Sequence, residues 1–144
     1  MESAPHDPVD RWMTQGVVAT SPETVLFDAF ELMQEHRIRH LPVLEGGDLV
    51  GMLSTRDALR ILRRAESEPA RAGLQPLHRT RVREVMSSPV RTVDRHTPVR
   101  EAIEILCREK ISALPVLEGG EVVGIVTTED LLWSTLERGD PEDF

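Results

Sequence analysis

Residues 38–57 read IRHLPVLEGGDLVGMLSTRD, and the chain repeats this stretch at residues 111–130 as ISALPVLEGGEVVGIVTTED. The offset is constant at 73 residues, from Ile38 to Ile111, with no gap. Twelve of the 20 aligned positions are identical, namely Ile38, Leu41, Pro42, Val43, Leu44, Glu45, Gly46, Gly47, Val50, Gly51, Thr55 and Asp57. Such a repeat predicts two copies of one structural unit.

The repeated stretch has the pattern of a β-hairpin followed by a helix. Leu41–Leu44 and Leu49–Leu53 are predicted strands, joined across Gly46 and Gly47, which accept the positive φ of a tight turn. A helix then opens at Ser54-x-x-Asp57, and in the second copy at Thr127-x-x-Asp130. The carboxylate of this motif can bond back to the N–H of the capping residue, so the motif also has a purely structural interpretation.

Each half also has an upstream strand and helix. Val17–Thr20 and Val90–Val93 are predicted strands, because they are rich in β-branched residues. Apolar residues follow at i, i+3, i+4 and i+7, which predicts a helix in each half with Thr24 or Thr97 as its cap. These residues are Leu26, Ala29, Phe30 and Met33, and Val99, Ala102, Ile103 and Leu106. The predicted fold is therefore a mixed α+β pair of β-α-β-β-α repeats.

The predicted organisation has five segments. Residues 1–8 form a flexible N-terminus, 9–64 the first repeat, 65–80 a linker with two prolines, 81–137 the second repeat and 138–144 an acidic tail.

Composition excludes several classes of function. A net charge of −8, without a basic tract, argues against a general nucleic-acid binder. The sequence has neither a run of about 20 apolar residues nor a basic start followed by an apolar stretch, so we expect no membrane insertion and a cytoplasmic location. The single cysteine, Cys107, excludes an intramolecular disulfide and is predicted to be a small core residue.

Neither a metal site nor an enzyme is predicted. His36 and His40 are four residues apart, but the helix should end before Ile38, so the two side chains should diverge. The sequence contains no G-x-x-x-x-G-K-[ST] motif, and no nucleophile is paired with a base.

The repeated order, with its Leu-Pro-Val strand, Gly before two apolar residues and Ser/Thr-x-x-Asp, resembles the tandem CBS domain, or Bateman module. The resemblance covers about residues 8–137. It implies a pseudo-twofold pair of repeats packed through their β-sheets, with two clefts that in many members bind adenine nucleotides or adenosyl ligands. AMP, ADP or ATP would then be a regulatory ligand, and no cofactor is obligatory. The family also commonly forms homodimers through its helices, for which Leu132, Trp133 and Leu136 would supply apolar contact here.

The resemblance also implies the roles of individual residues. Asp57 and Asp130 match the aspartate that accepts hydrogen bonds from the ribose hydroxyls. Ser54, Thr55, Thr127 and Thr128 match hydroxyl positions that meet phosphate, in agreement with the affinity of a helix N-terminus for anions. The remaining positions match the walls around adenine: Val17, Val18, Ala19, Val90 and Arg91 on one side, and His40, Leu41, Ala113 and Leu114 on the other.

The two copies differ in charge beside these positions. The first has Arg39, His40 and Arg56, where the second has Ser112, Ala113 and Glu129. If one cleft holds a polyphosphate, the basic groups of the first copy are the predicted phosphate contacts, and a solvated surface is the alternative. Two functions remain open: a stand-alone energy or metabolite sensor that regulates an unidentified partner protein, and a ligand-free dimerisation or protein-interaction module.

Overall fold

The computed structural model describes residues 6–65 and 73–138, which divide into two compact units. Unit 1 contains the chain up to Val17 and again from Arg91, and unit 2 contains Val18–Val90. Helices and strands are both present in each unit, so the predicted α+β class is confirmed.

Unit 2 is built around the first hairpin. Its elements are α1 (Leu26–His36), β1 (His40–Glu45), β2 (Asp48–Ser54), α2 (Thr55–Ala65), α3 (Gln75–His78) and α4 (Val82–Val85). Its core joins the inner faces of these helices to the hairpin through Leu26, Ala29, Met33, Leu41, Val43, Leu53, Ala58, Leu77 and Val82. The apolar positions predicted for the first helix thus face this core, with Phe30 partly buried against it.

Unit 1 repeats the plan. A 3₁₀ turn at Val9–Arg11 precedes β3 (Val93–Asp94), α5 (Val99–Glu109), β4 (Ala113–Glu118), β5 (Glu121–Thr127) and α6 (Thr128–Arg138). The strand order is β3-β4-β5, with β3 parallel and β5 antiparallel to β4. Among the core residues are Val99, Ala102 and Leu106 of the predicted apolar stripe, whereas Ile103 is only partly buried.

Both predicted hairpins are confirmed. Gly46 and Gly47 have φ of 59° and 87°, and Gly119 and Gly120 have φ of 59° and 86°, values that residues with a Cβ rarely adopt. Each hairpin also has a register shift after its fourth paired residue, between Val43 and Leu44 in the first and between Val116 and Leu117 in the second.

The predicted opening strands are shorter than expected. Only Thr20 pairs with β1, and the N–H of Thr20 bonds to the carbonyl of Pro42. The next bond of a parallel ladder would need an N–H from Pro42 toward Val18, and proline has none. Pro115 limits the β3–β4 pairing in the same way, since that pairing begins at Val116.

The opening segments of the two repeats are exchanged between the units. Thr14 pairs with Ile125 of β5, and the repeat-related Ser87 pairs with Met52 of β2. A compact unit therefore combines the start of one sequence repeat with the remainder of the other.

The predicted caps of α1 and α5 are wrong, because the exchanged segments lie at the starts of these helices. Thr24 and Thr97 do not cap these helices, since the N-cap positions are Val25 and Pro98 without side-chain cap bonds. Instead, the N–H of Leu26 donates to the carbonyl of Thr80. The N–H of Val99 donates to the carbonyl of Asp7 in the same way, so backbone of the exchanged segments accepts the first N–H of each helix.

The predicted linker and termini can also be compared with the structure. The 65–80 segment contains α3, whose Leu77 is 1% exposed in the core of unit 2. Asp7 and Pro8, which the sequence analysis placed in the flexible terminus, lie against Val99 and Pro98.

The prediction that Cys107 is a core residue is wrong. Cys107 is exposed because it lies one position past the apolar stripe of α5. Residues 1–5 and 139–144, most of the predicted tail, lie outside the described residues.

None of the described helices combines the length and apolar character that a membrane crossing requires.

Candidate functional sites at the starts of α2 and α6

The predicted Ser54-x-x-Asp57 motif lies where β2 passes into α2. The backbone N–H of Ser54 donates to Asp57 Oδ2 at 2.8 Å, and the Ser54 hydroxyl donates to the same oxygen at 3.3 Å. The N–H of Thr55 donates to the carbonyl of Arg39 at 3.0 Å. Asp57 therefore caps the helix through the backbone, as the structural interpretation of the motif required.

Arg60 is a neighbour of Asp57 that the sequence analysis missed. Its guanidinium lies 3.1 Å from Asp57 Oδ1, so protein groups contact both carboxylate oxygens. Asp57 is 3% exposed, whereas the Arg60 side chain is 54% exposed. The i, i+3 spacing on a helix was the available signal for this pair.

His40 lies beside the motif, because β1 pairs it with Ser54. Burial is the main cause that lowers the pKa of His40 below 6.5; Arg39 and Arg56 lower it further, and Asp57 acts in the opposite direction. The next residue, Leu41, is fully buried in the core of unit 2.

The corresponding motif of unit 1 is a complete capping box. The N–H of Thr127 donates to Asp130 Oδ2 at 2.9 Å, and the N–H of Asp130 donates to the Thr127 hydroxyl at 3.1 Å. Burial, with a smaller contribution from Glu129, raises the pKa of Asp130 above 3.8, while the bonds from Thr127 act to lower it. The Thr128 hydroxyl donates to the carbonyl of Ser112 at 3.4 Å, so a phosphate contact would have to replace this bond.

The other predicted wall residues fall at equivalent places in the two units. Val18 and Ala19 are half-buried and directly precede Thr20 in unit 2. Val17 and Val90 are the last residues before the chain passes between units, and Arg91 forms an ion pair with Glu109 at 3.4 Å. Ala113 and Leu114 are buried in β4, like Leu41 in β1.

The two helix starts therefore share geometry but differ in charge. Unit 2 has Arg39, His40, Arg56 and Arg60, where the aligned residues of unit 1 are Ser112, Ala113, Glu129 and Trp133. Anions are favoured near the first start, and neutral or cationic groups near the second.

His36 and His40 were predicted to diverge rather than to form a metal site. His36 is the last residue of α1 and His40 is the first residue of β1. Within residues 6–65 and 73–138, no three His, Cys, Asp or Glu side chains are grouped as metal ligands would be.

Comparison with known proteins decides the family. The CBS domain family matches residues 9–64 and, a second time, residues 82–136. The chain belongs to the CBS domain family. The match boundaries follow the sequence repeats, whereas the compact units exchange their opening segments.

Relatives of this CBS domain pair differ in length. YhcV of Bacillus subtilis (strain 168), a CBS domain-containing protein, is 33% identical over 120 residues, which are 83% of this chain and 79% of YhcV. An uncharacterised 33.4 kDa protein in a ribosomal RNA operon of Thermofilum pendens is 34% identical over 132 residues, 88% of this chain. The chain spans only 43% of that protein's length.

A solved structure with the same fold contains a nucleotide. CBSX2 in complex with AMP superposes with a TM-score of 0.74 at 25% identity, over 91% of this chain and 97% of CBSX2.

Proposed function

We propose that this CBS domain pair is a regulatory module that binds an adenine nucleotide or related adenosyl ligand at the starts of α2 and α6. The observation that carries the proposal is the repeated aspartate three residues into each helix start, beside hydroxyl groups and strand backbone. The AMP complex of the similar CBSX2 structure supports the ligand class.

The adenine would lie along the opening strand. Pro42 cannot donate to the carbonyl of Val18, so this carbonyl is an acceptor suited to the adenine amino group. In unit 1, Pro115 and Arg91 stand in the same relationship. In the sequence, Val17 and Ala19 flank Val18, and Val90 directly precedes Arg91, so each would extend the strand side of the adenine position next to it.

The ribose would meet the carboxylates. A carboxylate offers about four acceptor positions, so Asp57 can keep its bonds from Ser54 on Oδ2 and accept a ribose hydroxyl on Oδ1, which Arg60 contacts in this structure. Because Asp57 is 3% exposed, the half-exposed Arg60 side chain must move aside to admit that hydroxyl.

The phosphates of ADP or ATP would bind at the α2 start rather than at the α6 start. Arg39 and Arg56 supply positive charge there, His40 can take up a proton beside a bound phosphate, and the Ser54 and Thr55 hydroxyls lie at the same helix end. At the α6 start, Glu129 and Asp130 would repel a polyphosphate, which leaves a neutral or cationic adenosyl ligand as the better match.

The proposed module is a cytoplasmic homodimer that responds to ligand and acts on a partner protein. A ligand regulates only through a difference in its affinity for two states of the protein. Dimerisation is tested by sedimentation equilibrium at tens of micromolar, where a species of 16.2 kDa with and without nucleotide would refute it.

Calorimetry tests the ligand assignment. We expect Asp57→Asn and Asp130→Asn each to weaken binding at its own site by roughly 1.5 to 3 kcal/mol, the usual scale for a hydrogen bond to a charged group. Asparagine can still accept the capping N–H bond, so helix stability is preserved better than with alanine. Unchanged affinity in both variants and in the double variant would exclude the ribose role.

A ligand-free dimerisation module is the competing function, favoured by the fact that both aspartates already cap helices. A thermal-shift series with AMP, ADP, ATP, NAD and S-adenosylmethionine separates the two. Stabilisation that grows with ligand concentration supports the sensor, and no shift with any of them supports the competing function.

A further inference from the structure

Arg60 contacts the oxygen of Asp57 that the proposed ribose bond needs. Its guanidinium lies 3.1 Å from Asp57 Oδ1, while Ser54 donates its backbone N–H and its hydroxyl to Oδ2. Asp57 is buried and the Arg60 side chain is half exposed, so the ion pair joins a buried acceptor to a cation that solvent reaches. A ribose hydroxyl therefore competes with Arg60 for Oδ1.

A ribose hydroxyl is not an equal replacement for Arg60. Both groups can donate a hydrogen bond to the carboxylate, but only the guanidinium carries a charge that neutralises it. A buried carboxylate that loses its cation is left with an uncompensated charge. A ligand that brings only adenine and ribose must therefore bind against the loss of this ion pair.

A phosphate on the same ligand changes this balance. Long side chains on a helix point toward its N-terminus, and the Arg60 guanidinium accordingly reaches Asp57 in the first turn of α2. The ligand phosphates are proposed to bind at this same helix start, so a guanidinium displaced from Asp57 has an anion within its reach. Arginine pairs with phosphate as well as with carboxylate, through parallel N–H bonds. The guanidinium then exchanges one anion for another.

The second repeat cannot make the same exchange. The residue aligned with Arg60 is Trp133, and Asp130 is held in a capping box with Thr127. An indole donates one hydrogen bond but carries no charge. A ligand at the α6 start therefore has no cation to displace from this position, whether or not it carries a phosphate.

We propose that Arg60 determines the ligand specificity of the α2 start. It pairs with Asp57 in the free protein and moves to the ligand phosphate when the ribose binds. The inference rests on the proposed nucleotide site and specifies which ligands that site prefers. Adenosine phosphates are favoured over uncharged adenosyl ligands, because only the phosphates give the displaced guanidinium a new partner.

Adenosine and AMP differ by one phosphate and therefore test this role. Their affinities are measured by calorimetry for Arg60→Met and for the unchanged Arg60, both with Asp130→Asn to weaken binding at the α6 start. We expect Arg60→Met to bind adenosine about two- to fivefold more tightly, the scale of a half-exposed ion pair that no longer has to be broken. AMP affinity should not rise, because the variant loses the phosphate contact together with the ion pair.

Two further variants serve as controls. Arg63→Met removes the same charge from an exposed position of α2 farther from the helix start, and its adenosine affinity should equal that of the unchanged protein. Arg60→Lys should retain the preference for AMP, because an ammonium group can pair with either anion. Circular dichroism and urea unfolding establish that each variant is folded.

Several results would overturn the role of Arg60. A parallel rise in both affinities would show that Arg60 covers Asp57 without reaching the phosphate, and a parallel fall would make it only a positioning residue. Unchanged affinities would exclude any part in binding. In these three cases AMP still binds, so the proposed site stands. A wild-type protein that binds neither adenosine nor AMP would overturn the site and the inference together, which makes the two failures distinguishable.

Discussion

The Arg60 guanidinium lies 3.1 Å from the Asp57 carboxylate, and the position equivalent to Arg60 in the other repeat is Trp133. The same helix-start motif is therefore placed in two different environments. In unit 2 the aspartate is buried between Ser54 and an arginine, whereas in unit 1 Asp130 is half-buried in a reciprocal capping box. One motif thus supports two sites of different charge.

Replacing Asp57 tests its structural role without any ligand. We expect Asp57→Ala to lower the free energy of unfolding by about 1–3 kcal/mol, because the Ser54 N–H loses its acceptor. The ion pair adds at most about 1 kcal/mol, since Arg60 is half exposed. Asp57→Asn should lose less than half as much. Urea unfolding in nucleotide-free buffer measures both, and an alanine variant as stable as the wild type would show that the cap contributes nothing.

The exchanged opening segments pack closely against Gly51 of β2 and Gly124 of β5, so alanine at either position should be destabilising. A Cβ at Gly124 would lie 2.8 Å from the backbone oxygen of Thr14 and 2.6 Å from the Met13 sulfur. A Cβ at Gly51 would meet chiefly the flexible Met86 side chain, with the sulfur at 2.5 Å and the Ser87 oxygen at 3.2 Å. We expect Gly124→Ala to destabilise by about 1–3 kcal/mol and Gly51→Ala by less, because a side chain moves more easily than backbone.

The rescue of Gly51→Ala identifies the contact. Shortening the neighbour with Met86→Val should recover part of the loss in the double variant, whereas Met13→Val, the repeat-related change, should recover none. Rescue by Met13→Val instead would mean that each opening segment packs on its own repeat.

The sequence predicted what is local to each repeat. The hairpin turns, the apolar stripes of α1 and α5 and the caps of α2 and α6 all depend on residues close together in the chain. The exchange of the opening segments could not be predicted, because Thr14 is equally compatible with β2 and β5, which are themselves repeats. The predicted caps of α1 and α5 were wrong for the same reason. The first N–H groups of these helices bond to Thr80 and Asp7, which come from the exchanged segments.

The candidate site was predicted in part. Asp57, Ser54 and His40 do lie together in unit 2. Arg60 was missed because the comparison of the two repeats covered residues 38–57 and 111–130, and Arg60 and Trp133 lie three residues beyond these stretches.

Asp130 should make stability depend on pH. Its pKa is raised in the folded state by burial, so its favourable contribution is fully present below about 3.8 and is lost as the pH rises through the raised value. Asp130→Asn removes the ionisation. The stability of this variant relative to the wild type should therefore increase between pH 3.5 and pH 7, as measured by urea unfolding.

Glu121→Gln, at an exposed position of β5, is the control for loss of a surface carboxylate. A difference between Asp130→Asn and wild type that stays constant across this pH range would contradict the raised pKa.

His40 links nucleotide binding to pH if the proposed phosphate site is correct. Burial, with Arg39 and Arg56, lowers its pKa below 6.5 in the free protein, and a bound phosphate favours the protonated form and raises that pKa. Binding then takes up a proton, so ATP affinity should increase as the pH falls from about 8 through the pKa of the complex. Because the free-protein pKa is lowered, the increase in ATP affinity should continue to more acidic pH than an exposed histidine would give.

Two variants test this role of His40. His40→Gln should abolish the part of the pH dependence that comes from this histidine, and the exposed His96→Gln should retain it. The titration of the nucleotide phosphate is common to all three proteins. Calorimetric profiles that coincide for wild type and His40→Gln would remove His40 from the phosphate site and assign the charge difference between the two helix starts to another role.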